Sequence, residues 1–331
     1  MVIESGMNNA IEEQLLNSAQ LIGLDWGSTG LRAFLMGAEG NVLATRASQS
    51  GASSLQATAS YPSILQQFIG DWFHSGDKKL PILACGMVGS KHGWLDVPYV
   101  ECPANADALA QRFGAIESVH IVPGLIFNPS NPTVPPDLMR GEETQLVGAL
   151  QLRPELVEQS CFILPGTHSK WAQIKHGQCL SFATHMTGEL YSVLRQHSVL
   201  GRLFPSTPSE TNHRAENDAF NLGVRAARDD AHLGLNHQLF AVRSLGVTEK
   251  MSGAELANYL SGLLIGHEVK AGLNWRRLAG LAQAPLVLIG EPDLCRRYEN
   301  ALAIFDIHNA LVLANTAPAG LWNLAKAAKL V

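Results

Sequence analysis

One pattern occurs twice in this chain and limits what it can fold into. A short apolar strand runs into a loop of Gly, Ser and Thr; a second strand, a glycine turn, a third strand and a helix follow. The first copy is Leu21-Ile22-Gly23-Leu24, then Asp25-Trp26-Gly27-Ser28-Thr29-Gly30, then the run Leu31–Met36. A turn at 37–41, the run Val42-Leu43-Ala44, a predicted helix over 61–73 and a buried strand over 81–84 complete it. The second copy is Phe162-Ile163-Leu164, then Pro165-Gly166-Thr167-His168-Ser169-Lys170, then a strand over 171–174. After the turn Lys175-His176-Gly177 comes a strand over 178–182, and a helix is predicted to begin near Thr187-Gly188-Glu189. The letters differ between the copies, so the repeat is one of architecture; the alternative is a chance recurrence of hairpins. The pattern predicts an α/β chain with two related halves.

A helix is predicted where the halves join, within Asp137–Leu150, and another near the end, in the small-residue run Thr316–Trp322. Gly148 and Ala149 in one, and Ala317, Ala319 and Gly320 in the other, leave room for a close crossing. Pro318 suits a first helical turn. The pair reads either as a compact hinge or as two ordinary surface helices. The expected organisation is a loosely ordered extension over 1–20 with one short amphipathic helix, a first domain over 21–145 and a second over 146–331.

The remaining sequence narrows the function by exclusion. A length of 331 residues accommodates two domains. The net charge of −5 and the scattered basic residues give no footprint for nucleic acid. Five cysteines without a CxxC pair fit reduced thiols in the cytosol better than a disulfide framework or a structural zinc. No apolar run is long enough to cross a bilayer. The first 20 residues hold no Lys or Arg and do not read as a secretory signal. The chain is expected to be cytoplasmic, away from membranes; a homodimer is compatible with it. A GxxxxGK[ST] P-loop, a GxGxxG fingerprint, HExxH and GxSxG are all absent.

The two loops carry the chemistry. Gly27 lets backbone approach an oxyanion, and Ser28 and Thr29 add hydroxyl donors. Asp25, at the strand end, suits Mg²⁺ rather than phosphate. Arg32 reads better as a structural ion pair than as a phosphate contact. In the second loop, Gly166, Thr167, His168 and Ser169 offer the same donors, and Lys170 a charge for phosphate. Two such loops would grip one polyphosphate, as phosphoryl transfer requires. The strand Leu286–Ile289 ends in Gly290-Glu291, where Gly290 would let a planar base lie against backbone; a plain core strand is the alternative.

Together these features resemble the actin-like ATPase superfamily, which includes sugar kinases, acetate kinase and the exopolyphosphatases. The resemblance implies two ribonuclease H-like domains with a cleft between them. Phosphate loops would lie at 25–29 and 166–170, an adenosine strand at 286–291 and connecting helices at 141–150 and 317–325. Longer strings sharpen it: Leu24–Thr29, Ala84-Cys85-Gly86-Met87-Val88-Gly89-Ser90, Pro98-Tyr99-Val100, Met139-Arg140-Gly141-Glu142-Glu143-Thr144-Gln145, Leu164–Trp171 and Met186-Thr187-Gly188-Glu189-Leu190. In order and spacing they are similar to the 2-dehydro-3-deoxygalactonokinase family. The added N-terminal residues and Glu291, where many superfamily members have a second Gly, depart from it.

That resemblance implies an ATP- and Mg²⁺-dependent kinase acting on the 6-hydroxyl of 2-dehydro-3-deoxy-D-galactonate. Glu143 is the first choice of general base, because a Glu at the matching place activates the nucleophile in exopolyphosphatase-like relatives. Glu142 and Asp137 are the alternatives, and an acidic residue here can simply cap the helix. A substrate carboxylate calls for a bidentate Arg, and Arg140 is the candidate. Met87, Gly89, Ser90 and Lys91 would assist in a loop over the substrate. Thr187, Gly188 and Glu189 would line the cleft from the second half, or cap a helix. The competing readings are a phosphohydrolase with the same loops and a non-catalytic actin-like nucleotide-binding module.

Overall fold

A computed structural model describes residues 15–52, 60–75, 78–205 and 213–331. The chain divides into two compact units. One comprises Met1–Glu158, Lys175–Ser181 and Asn315–Val331; the other comprises Gln159–Ile174 and Phe182–Ala314.

The first unit opens with β1 (Ala19–Trp26), β2 (Leu31–Gly37), β3 (Val42–Ser48) and α1 (Tyr61–Ile69). A small ribbon, β4 (His74–Ser75) and β5 (Lys78–Lys79), leads to β6 (Ile82–Gly86), β7 (Val100–Glu101) and α2 (Ala106–Ala110). Then come β8 (Gly114–Ile116), β9 (Val119–Ile121), β10 (Leu125–Phe127), β11 (Asp137–Met139) and α3 (Glu142–Leu152). The next segment runs β12 (Gln159–Leu164), β13 (Ser169–Lys175), β14 (Gln178–His185), α4 (Thr187–His197), α5 (His213–Asp229) and α6 (Leu235–Val247). It ends with α7 (Gly253–Leu278), β15 (Leu286–Ile289), α8 (Pro292–Ile304) and β16 (Leu311–Leu313); α9 (Ala317–Ala327) closes the chain.

The two large sheets share one strand order. The first is β3-β2-β1-β6-β9 with β8 added at the edge; the second is β14-β13-β12-β15-β16. In the first, β1 pairs antiparallel with β2 and parallel with β6, and β6 pairs parallel with β9. In the second, β12 to β15 and β15 to β16 are parallel. This is the ribonuclease H-like pattern expected of an actin-like ATPase, present twice. The central strands read as unbroken apolar runs because both faces are covered: Leu21, Ile22, Leu24 and Trp26 of β1 and Phe162 and Ile163 of β12 are fully buried.

Glycines set the helix packing. α3 and α9 lie together in the first unit, and a methyl at Gly148 would sit 1.9 Å from the Thr316 carbonyl oxygen. A methyl at Gly320 would sit 1.9 Å from that of Thr144. The crossing is backbone on backbone, which only glycine permits, so these are not ordinary surface helices. Pro318 lies in the first turn of α9, as expected. In the second unit α5 and α7 meet the same way, with Gly262 against the Phe220 carbonyl and Gly223 against that of Tyr259. α7 is started by a capping box between Ser252 and Glu255.

Several boundaries differ from those read in the sequence. Ala19 and Gln20 belong to β1, while the helix expected in the extension falls mostly outside the described residues. The helix over 61–73 ends at Ile69 and tightens into a 3-10 turn over Gly70–Trp72. The expected domain boundary at 145/146 falls inside α3, which clusters whole with the first unit, as does α9. β13 begins at Ser169, so Ser169 and Lys170 are strand residues. Both residues are buried.

Candidate active site

In the first unit the chemistry gathers where parallel strands β1 and β6 end, the usual place for ligands in such sheets. Trp26, the last residue of β1, is fully buried and holds the loop from beneath. Its ring meets Tyr61 edge-on at 5.2 Å, Trp94 stacks on Tyr61 at 5.5 Å, and its indole N–H donates to the Ser50 carbonyl at 2.9 Å. The loop closes by a hydrogen bond from the Gly27 N–H to the Gly30 carbonyl at 3.0 Å, so that N–H is spent within the turn. Ser28 and Thr29 at the tip are exposed. Gly51 supports them from behind, where a methyl would sit 2.3 Å from the Ser28 carbonyl oxygen.

Asp25 lies opposite Cys85 of β6 and opposite Arg32 of β2, whose guanidinium is 3.9 Å from its carboxylate. Arg32 is therefore an ion-pair partner, as its sequence context suggested. Burial lifts the Asp25 carboxyl above its ordinary value, and Arg32 opposes the shift. A cavity of about 350 Å³ opens here, lined by Asp25, Gly27, Thr29, Arg32 and Ser48 among others.

Two left-handed glycines bring the next group in. Gly86 (φ 94°) ends β6 and Gly141 (φ 109°) precedes α3, and a methyl on Gly141 would lie 3.4 Å from the Gly86 Cα. Other residues are strained at such angles. α3 thus starts beside the end of β6 with two acidic residues in its first turn. Glu142 accepts the Arg140 N–H at 3.0 Å, and Glu143 accepts the Gly141 N–H at 2.7 Å and the Thr144 hydroxyl at 3.2 Å. Both thus tie the turn that precedes α3, while no side chain caps the helix itself. Glu143 is 1% exposed. Burial, then the charge of Glu142, pushes its carboxyl up to about 8. The third acid, Asp137, lies in β11, where its carboxylate accepts the Leu138 N–H at 2.7 Å.

Arg140 is buried and only partly satisfied. One terminal nitrogen donates to the Val97 carbonyl at 2.7 Å, and the guanidinium lies over the Tyr99 ring at 4.2 Å. Nε and Nη1 are buried and have no partner. Gly89 borders the same group: a methyl there would sit 3.0 Å from Nη1. Met87, Val88 and Gly89 form a 3-10 turn, with Ser90 half-buried and Lys91 exposed beyond it. A buried cation with two idle donors is costly unless a ligand completes it.

The second unit treats its loop differently. Gly166 and Thr167 border a cavity of about 400 Å³ with Thr187, Gly188, Tyr191 and Tyr298 among its other walls. A methyl at Gly166 would meet nothing within 4 Å, so open space adjoins the loop. Gly188 packs on it so tightly that a methyl would sit 2.4 Å from the Gly166 carbonyl oxygen. The Glu189 N–H donates to the Thr167 carbonyl at 2.9 Å, and the Glu189 carboxylate pairs with His168. Ser169 is bonded to the Tyr298 hydroxyl at 2.9 Å inside the core. Thr187 is no helix cap: Met186 takes that position, and the Thr187 hydroxyl donates to buried Glu268. Gly290, at the end of β15, touches Pro165 and Cys295 and is not part of the cavity wall.

Sequence reading singled out Asp25, Glu143 and Arg140, which the fold groups in the first unit. It missed Tyr99, Gly51 and Glu268. Nothing in the linear pattern marks Glu268, in the middle of a 26-residue helix. Tyr99 stood within a quoted string without a role. Among the described residues no set of three or more His, Cys, Asp or Glu side chains could enclose a metal. No described helix is long and apolar enough to cross a membrane.

Comparison with known proteins shows the family to which the chain belongs. The profile of the 2-keto-3-deoxy-galactonokinase family matches residues 25–324. A 2-dehydro-3-deoxygalactonokinase of Escherichia coli K12 is 34% identical over 313 residues, covering 94% of this chain and 99% of that protein. A crystal structure from Sinorhizobium meliloti, of a protein provisionally assigned as a 2-dehydro-3-deoxygalactonokinase, is 32% identical. It covers 93% of this chain and 98% of its own, with a TM-score of 0.79.

Proposed function

Because the chain belongs to the 2-keto-3-deoxy-galactonokinase family, we propose that it transfers the γ-phosphoryl group of ATP to the 6-hydroxyl of 2-dehydro-3-deoxy-D-galactonate, in galactonate breakdown. The observation that carries this reading is Arg140. Its buried Nε and Nη1 have no partner; each forms an edge of the guanidinium with Nη2, and a carboxylate can accept two parallel N–H bonds from the edge whose Nη2 hydrogen is not given to Val97. The acid end of the substrate binds there, with Gly89 leaving the space and Tyr99 supporting the guanidinium from its face. Met87, Ser90 and Lys91 line the same loop.

Glu143 takes the proton of the 6-hydroxyl as the oxygen attacks the γ-phosphorus and the bond to the departing ADP breaks. A base must be ionised, and a carboxyl near 8 is mostly protonated at pH 7. Activity therefore depends on alkaline pH, or on a cation that would lower this carboxyl when bound. Glu142 is the alternative base. Ser28 and Thr29 offer hydroxyls to phosphate in the first unit, and Gly166 and Thr167 offer backbone to phosphate in the second. The apolar-walled cavity beside Gly166 receives the nucleoside.

Asp25 would hold Mg²⁺. A lone carboxylate fits this ion, which keeps several waters and takes its other ligands from phosphate; Asp25 is partly exposed at the strand end. Mg²⁺ supplies neutralisation of phosphate charge during transfer.

A coupled ADP-release assay tests the reading. ADP should appear only when 2-dehydro-3-deoxygalactonate is added. Release without any sugar acid, unchanged by adding it, would make the protein a phosphohydrolase and overturn the kinase reading.

A further inference from the structure

The second unit holds a buried carboxylate that no step above uses. Glu268, in the middle of α7, is 3% exposed. It accepts the Trp171 indole N–H at 3.0 Å on one oxygen, and the Tyr298 hydroxyl at 2.6 Å and the Thr187 hydroxyl on the other. These partners come from β13, α8 and α4, and Thr187 and Tyr298 both line the cavity beside Gly166. A carboxylate offers only acceptors, so each hydroxyl must spend its single proton on Glu268. Two consequences follow. Tyr298 has no proton left for Ser169, so Ser169 donates to Tyr298 across their 2.9 Å contact. Thr187 presents only lone pairs to the cavity. It is therefore an acceptor and repels a phosphate oxygen, which has no proton to give.

The order of groups in a nucleotide identifies what does reach it. Thr187 is adjacent to Gly188, which packs against Gly166 of the loop. Next to the phosphates, before the base, stands the ribose, whose hydroxyls can donate. We propose that Thr187 accepts a hydrogen bond from a ribose hydroxyl of ATP, and that Glu268 is a positioning residue that fixes Thr187 in the acceptor role. This rests on the second-unit cavity receiving the nucleoside.

The test compares ATP with its 2′-deoxy, 3′-deoxy, 2′-fluoro and 3′-fluoro analogues, by kcat/KM at saturating sugar acid. In the wild type, one deoxy analogue should lose roughly three- to tenfold, the worth of one neutral hydrogen bond. The fluoro analogue at the same carbon, which cannot donate, should lose as much. Thr187→Val keeps the side-chain shape and should erase the difference while raising KM for ATP. Glu268→Gln should raise KM for ATP with KM for the sugar acid unchanged. Equal use of ATP and both deoxy analogues by the wild type overturns the proposal, as does a fluoro analogue at the sensitive carbon that works like ATP. Thr187→Val that keeps full discrimination overturns it too. In all these cases ATP is still consumed, so the kinase reading stands; loss of that reading shows separately, as no sugar-acid-dependent ADP release by the wild type.

Discussion

The two loops share a strand pattern and have opposite fates. In the first unit the hydroxyls of Ser28 and Thr29 reach solvent and the acids Asp25 and Glu143 gather behind them. In the second, Ser169 and Lys170 are drawn into the sheet, and the acid behind them, Glu268, is fully engaged by three donors. The first end leaves donors and a shifted carboxyl available for chemistry. The second uses its polar groups to hold a cavity wall still. Sequence similarity of loops therefore says where a ligand can come, while the burial of each side chain says whether it acts or positions.

The largest effect belongs to the acting end. Glu143→Gln should lower turnover by about 10²–10⁴, the range for removing a general base, with ATP binding retained by calorimetry. Near-normal turnover would move the base to Glu142. The same variant reports the carboxyl's burial. Glu143 is raised from 4.5 to about 8, so its contribution to stability is complete below its unfolded value and is lost as pH rises through 8. The wild type should lose stability relative to Glu143→Gln between pH 5 and 8, by on the order of 4 kcal/mol. Thermal melts at both pH values check it, and parallel curves would place the carboxyl in a wetter setting.

Arg140→Ala comes next. Charge-assisted hydrogen bonds are worth about 1.5–3 kcal/mol, so KM for the sugar acid should rise roughly ten- to a hundredfold and KM for ATP little. Equal changes in both would remove the carboxylate role. Arg140→Lys should not restore binding, because an ammonium cannot make the paired contact and loses the Tyr99 face.

How far the sequence carried differed along the same line. Four strands of each ribonuclease H-like sheet were legible, because buried strands write themselves as apolar runs and the turns between them carry Gly177 or Gly40; the three-residue strands β8, β9 and β16 were too short to read. Arg140 and Glu143 were legible through flanking strings. Ser169 and Lys170 were not, since a polar pair after a glycine reads as loop until the strand partners are known. Glu268 was hidden for the same reason: a glutamate on a long helix is ordinarily solvated, and only three partners from distant parts of the chain make it a core residue. The close helix crossing at Gly148 and Gly320 was visible as small residues, whereas the equivalent one at Gly223 and Gly262 was not, being spread over two helices with no flanking signal.

The smallest expected effects set the two serines against each other. Ser169→Ala removes the donor to the Tyr298 hydroxyl, which keeps its bond to Glu268. The loss is one neutral hydrogen bond, about 1 kcal/mol, or a fall in Tm of roughly 2–4 °C for a unit of this size, with KM for ATP within twofold. Ser28→Ala removes an exposed hydroxyl that touches no core group, so Tm should hold while KM for ATP rises by a few-fold. The pair is informative because Ser28 sits at a loop tip and Ser169 at the start of the strand that follows the other loop, and the two readouts should trade. A Ser169→Ala protein with unchanged Tm and a tenfold poorer kcat would mean that Ser169 meets phosphate directly, and that the second loop acts as the first does instead of holding a wall.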